Sequence, residues 1–177
     1  MPINTKIDGN PDSIRQAASW LKSSLSSGVH DATTQMHHSR ATAEGGWRGE
    51  ASSGFQDKMR TGGKGGDELA NDAGRLGQHF DRYADSLHTA KAGMQRAKDI
   101  ARHGGLAVNG DIIEDPGPAP TIPQSLPTDG SATPRQVQEH NQALQAGQDH
   151  QTRVAAFNQA QGEADRANGV LTAGTEL

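Results

Sequence analysis

Ala43-Glu44-Gly45-Gly46-Trp47-Arg48-Gly49-Glu50-Ala51 is the stretch on which the fold turns. Three glycines fall within five positions, at 45, 46 and 49. Each costs about 1 kcal/mol inside a helix. They suit a chain reversal, where positive φ and close backbone approach are needed. Long stretches of helical periodicity lie on either side. The residues therefore predict two helices joined by a turn that carries one large aromatic. An aromatic in that place covers the end of the helices it joins, and taken by itself Trp47 is such an anchor.

Upstream, Asn10-Pro11-Asp12 reads as a helix start: an N-cap, a proline at the first helical position and an acid at the positive end. The stripe Ile14, Ala18, Leu21, Leu25, Val29, Ala32, Met36 and Ala43 steps mostly by three and four. Serines 23, 24, 26 and 27 and Gly28 lower the helix propensity of its middle, so packing has to supply the stability. Downstream, Gly62, Gly66, Leu69, Ala73, Leu76, Phe80, Tyr83, Leu87, Ala90, Met94, Ala97 and Ala101 alternate steps of four and three. This is a seam of heptad type, which asks for a partner helix. Gly62, Gly63, Gly65 and Gly66 predict a kink, a break or local unwinding. The first helix, about 34 residues, spans roughly 50 Å, and the second, about 53 residues, roughly 80 Å. The distal end of the second therefore needs another cover.

Residues 106–133 read as a connector. Asn109-Gly110 between Leu106-Ala107-Val108 and Asp111-Ile112-Ile113 allows a short β-hairpin. Pro116, Pro118, Pro120, Pro123 and Pro127 then favour extended chain over helix. Thr133-Pro134 restarts a helix that continues to about residue 172. Its stripe of Val137, Leu144, Val154, Phe157, Ala164 and Leu171 is sparse and filled with His140, Gly147, Gln151 and Gln161. The fold class expected is all-α: an elongated antiparallel helical hairpin over residues 1–105, a Pro/Gly-rich connector and an additional C-terminal helix over 134–172.

A Trp-x-Gly turn at Trp47-Arg48-Gly49 between two amphipathic helices, in a chain rich in Ala, Gly, Ser and Gln, resembles the WXG100 (ESX) superfamily, the small helical substrates of bacterial type VII secretion. The resemblance covers about residues 1–105. Two features depart from it. The chain has 177 residues, more than a bare hairpin needs. The family's export tag, Tyr-x-x-x-Asp/Glu, is missing, because the only tyrosine is Tyr83 and Leu87 stands four residues on. The length, the segment from Gly105 to Ile113 and the prolines are more similar to the N-terminal targeting region of larger type VII-secreted toxins.

The resemblance implies a non-enzymatic secretion substrate or targeting domain, recognised through Trp47 and Gly49. It implies synthesis in the cytoplasm and export without a cleaved signal peptide. The implied partners are the type VII machinery and a second hairpin, as a homodimer or a heterodimer with a WXG-like helical chain in a four-helix bundle, the partner supplying the missing tag. Leu69, Leu76, Phe80, Tyr83, Leu87 and Met94 are the seam residues expected at helix contacts. The alternative is a coiled-coil scaffold or adaptor that stays in the cytosol, with Trp47 as anchor only.

Composition narrows the rest. The chain is 32% apolar and 3% aromatic, too little for a thick core but enough for helices that each bury one stripe. A net charge of −4 and the lack of any Lys/Arg run argue against nucleic acid. Without cysteine there is no disulfide or thiolate chemistry. The first residues lack an apolar leader core, and no apolar run reaches the roughly 20 residues that span a membrane. His30, His37 and His38 cluster within nine residues, but no HExxH, facing carboxylate or cysteine completes a metal site. Gly62-Gly63-Lys64-Gly65-Gly66 lacks the spacing and preceding strand of a phosphate loop. No catalytic constellation and no cofactor site is expected.

Overall fold

The computed structural model describes residues 1–121, 125–126 and 131–175. Pro123 and Pro127 of the expected extended connector lie outside the described residues. The elements run β1 (Ile3–Asn4), α1 (Pro11–Ser19), a π-helical stretch (Trp20–Ser26), α2 (Ser27–Gly46), α3 (Glu50–His103), β2 (Val108–Asn109), β3 (Ile112–Ile113) and α4 (Pro134–Thr175). The fold is all-α in class, with a small sheet attached. The chain divides into two compact units. Among the described residues, one comprises Gly9–Leu87 with residues 174–175, and the other Met1–Asp8 with the residues from His88 to Ala173.

In the first unit, Asn10 caps α1 as its sequence suggests: its Oδ1 accepts the Asp12 N–H at 2.9 Å, with Pro11 at the first helical position. The π stretch coincides with the serine-rich middle of this helical run, where Ser23 Oγ bonds back to the Ser19 carbonyl at 2.6 Å. Such back-bonding weakens helix regularity. After the turn, α3 runs unbroken for 54 residues. The expected break at Gly62–Gly66 does not occur, and three of the four glycines, Gly62, Gly63 and Gly66, face side chains of α2. A β-carbon on Gly63 would stand 2.6 Å from His37 Cε1, and one on Gly66 would overlap Thr33 Cγ2. Closeness to the facing helix offsets their poor propensity.

α3 lies antiparallel to the α1–α2 run. Arg15 pairs with Asp85 at 2.8 Å, Lys22 pairs with Asp81, and His37 meets Asp67 at 2.9 Å. The face that α3 turns inward carries small residues: Gly63, Ala70, Ala73, Gly77 and Ala84 are buried. On one flank stands the row of polar side-chain pairs just named. On the other, Gly62 faces the Met36 sulfur.

In the second unit, the C-terminal part of α3 packs on α4. Thr133 and Gln136 form a capping box at the start of α4: the Gln136 N–H donates to Thr133 Oγ1 at 3.3 Å, and the Thr133 N–H donates to Gln136 Oε1 at 2.8 Å. Ala156, Ala160, Ala164 and Ala167 are the buried residues of α4. They meet Ala90, Met94, Ala97 and Ala101 in one apolar cluster. A β-carbon on Gly93 would lie 2.8 Å from Ala167 Cβ, and one on Gly104 would overlap Ala156 Cβ. Arg96 and Glu163 join the two helices at 2.7 Å. So α4 covers the distal end of α3 within the chain, through alanines and glycines.

The expected hairpin at Asn109–Gly110 is present, with Asn109 opposite Ile112 and Gly110 at φ +62°, the first central position of a two-residue turn. β1 adds a third strand, in the order β1-β3-β2, with Ile3 opposite Ile113. Ile3, Leu106 and Ile113 bury their side chains in the same cluster as Met94.

Candidate functional site

The helical run ends at Gly46, and Trp47 leaves it in extended conformation, φ −122° and ψ 130°. Its N–H still donates to the Ala43 carbonyl at 3.0 Å. Gly49 takes φ +105°, in the region that side chains disfavour, and its carbonyl accepts the Ser53 N–H at 3.1 Å as α3 begins. No atom stands within 4 Å of a β-carbon built on Gly49. The turn therefore needs glycine for its φ and not for room.

Three side chains of the first turns of α3 hold this break. Ser52 Oγ donates to the Trp47 carbonyl at 2.8 Å, and Gln56 Nε2 donates to Ser52 Oγ at 3.1 Å. The Phe55 ring lies 5.7 Å from the indole at 47°. Trp47 remains 46% exposed. Beside it runs an open groove of about 630 Å³, walled by His38, Thr42, Ala43, Gly46, Trp47 and Phe55. Trp47 is thus less a plug for the helix ends than a presented ring steadied on one face.

The seam residues fall into two groups. Leu87 and Met94 are buried, and Phe80 and Tyr83 are half-buried. Leu69 and Leu76 are 51% and 44% exposed. Ala70, Gly77 and Ala84 occupy the inward positions one residue on, because small side chains let the helices approach and the leucines are left on the flank. Trp20 is also exposed.

Asp67 gathers a polar cluster in this unit. It accepts from His37 Nε2 at 2.9 Å and from Thr33 Oγ1 at 2.8 Å. The His37 bond, ahead of the Thr33 bond, holds its carboxyl below the usual carboxylate range. It is a clamp between α2 and α3. No group of three His, Cys, Asp or Glu among the described residues is arranged to hold a metal ion. No helix among the described residues is long and apolar enough to cross a membrane.

Sequence reasoning passed over Ser52, whose only signal was a hydroxyl five residues after Trp47. Phe55, three residues after Ser52, sets its ring against the indole.

A family model described as a WXG100-like domain matches residues 8–102. That is more than half of the chain, and the chain belongs to this family, whose helical domains go with type VII secretion. No curated protein and no solved structure gave a match.

Proposed function

We propose that this member of the WXG100-like family is a type VII secretion substrate, or the targeting domain of a longer one, recognised through the Trp47–Gly49 turn and without catalytic activity of its own. The observation that carries the reading is the half-exposed Trp47, set between two helices by a glycine at φ +105° inside the matched region. A ring that only closed a hairpin would be expected to bury itself, because burial is what makes an aromatic stabilise. The groove beside it offers an apolar wall to a recognising side chain.

The same reading takes the exposed flank of α3 as a docking face for a second helical hairpin. Leu69 and Leu76 stand one heptad apart, between Gly62 and Tyr83 at the same spacing. A partner chain would also supply the Tyr-x-x-x-Asp/Glu tag that Tyr83 and Leu87 do not form. The test is export of the tagged full chain by a bacterium carrying a type VII system, with and without its motor ATPase. Accumulation in the medium that depends on the motor supports the proposal. Retention in both strains, in a host that exports its own substrates, overturns it.

A further inference from the structure

We infer that Ser52 is a positioning residue for Trp47: its hydroxyl locks the turn so that the indole is presented in one orientation. The inference rests on reading Trp47–Gly49 as the recognised turn. Ser52 is 1% exposed, an unusual burial for a serine in the first turn of a helix. A hydroxyl there ordinarily bonds within its own helix or to solvent. The adjacent Ser53 does so: it is exposed and points its hydroxyl back to the Gly49 carbonyl, 3.4 Å away. Ser52 reaches out of α3 to the Trp47 carbonyl at 2.8 Å.

The backbone of Trp47 is consequently held on both sides. Its N–H is fixed to α2 through Ala43, and its C=O is fixed to α3 through Ser52. Gln56 completes the device by donating to Ser52 Oγ, which orients the hydroxyl proton toward Trp47. Phe55 sits three residues after Ser52, on the same side of α3, and bears on the indole itself. Backbone and ring of the signal residue are thus both set by the first two turns of α3. Without the clamp, Gly49 leaves the link free to swing, since nothing crowds it.

The test uses the full chain with Trp20→Phe, so that Trp47 is the only indole. Ser52→Ala is expected to increase acrylamide quenching of Trp47 fluorescence at unchanged helix content. It should also lower the secreted fraction about five-fold, the equilibrium weight of one ordinary hydrogen bond. Ser52→Thr, which keeps the hydroxyl, restores both, and Ser53→Ala changes neither. Gln56→Leu gives a smaller loss and guards against a folding defect peculiar to position 52. Quenching of Ser52→Ala identical to the parent overturns the clamp. So does normal secretion of Ser52→Ala where Trp47→Ala is retained. Normal secretion of a folded Trp47→Ala overturns the secretion reading, while the quenching result still decides whether Ser52 sets the ring.

Discussion

Gly66 of α3 lies so close to Thr33 of α2 that a β-carbon on the glycine would overlap Thr33 Cγ2, and Thr33 is itself buried. One residue earlier, a β-carbon on Gly65 meets nothing within 4 Å. The two glycines therefore respond to alanine with opposite signs. Gly65→Ala gains helix propensity and raises stability by about 0.5–1 kcal/mol. Gly66→Ala gains the same propensity but must push Thr33 aside and disturb its bond to Asp67, for a net loss of about 1–3 kcal/mol. Urea denaturation of both variants checks this. A stabilised Gly66→Ala would mean that the two helices do not approach as described.

The leucines of α3 divide in a comparable way. Leu87 is 1% exposed, and Leu87→Ala is expected to cost about 2–5 kcal/mol in the isolated chain. Leu69→Ser and Leu76→Ser change flank positions and should shift the midpoint by less than about 1 kcal/mol. If the flank binds a second hairpin, the same two serines abolish association, whether read as the chain's own mass by sedimentation or as capture of a co-expressed helical partner. Unchanged association of the double variant would place the interface elsewhere.

Stability should fall in acid, with a sign set by three carboxylates. Glu163 accepts from Arg96 Nε at 2.7 Å and from Arg166 Nη1 at 3.1 Å. The Arg96 bond, with burial opposing it, holds the carboxyl below its ordinary value of 4.5. The folded value lies below the unfolded one, so as pH drops the unfolded chain takes up the proton first. The stabilisation is complete above the unfolded value and disappears as pH falls through the folded one. Asp67, held down first by His37, and Asp111, held down first by Lys98, act in the same sense from 3.8 downward. Thermal melts of the parent and Glu163→Gln should differ most at neutral pH and draw together as pH falls below the ordinary carboxylate value of 4.5. A gap that widens in acid would contradict the assignment.

Much of the fold was legible because local chemistry announces itself. Asn10-Pro11, Thr133-Pro134 and the glycines around Trp47 marked helix limits that the structure reproduces at Pro11, Pro134 and Gly46. The face of α3 was harder to read. Large apolar residues dominate a periodicity count, so Leu69 and Leu76 drew the seam toward themselves, while the helices meet on Gly63, Ala70, Gly77 and Ala84. For the same reason α4 looked sparse, although Ala156, Ala160 and Ala164 recur every four residues. β1 gave no signal, since two residues pair with a strand more than 100 positions away. At the turn, Trp47 and Gly49 stood out as types in a pattern. Ser52 did not, because a hydrogen bond to a backbone carbonyl leaves no mark in sequence.

The most direct measurement is secretion of Trp47→Ala from a bacterium with an active type VII system, beside Gly49→Ala and the parent chain. Trp47 is half-exposed at a helix end, so its loss should lower stability less than that of Leu87, and circular dichroism should show the helices intact. The account expects both variants to remain in the cell, folded, while the parent appears in the medium. Parent-level secretion of a folded Trp47→Ala would contradict it and leave Trp47 as an anchor of the hairpin alone.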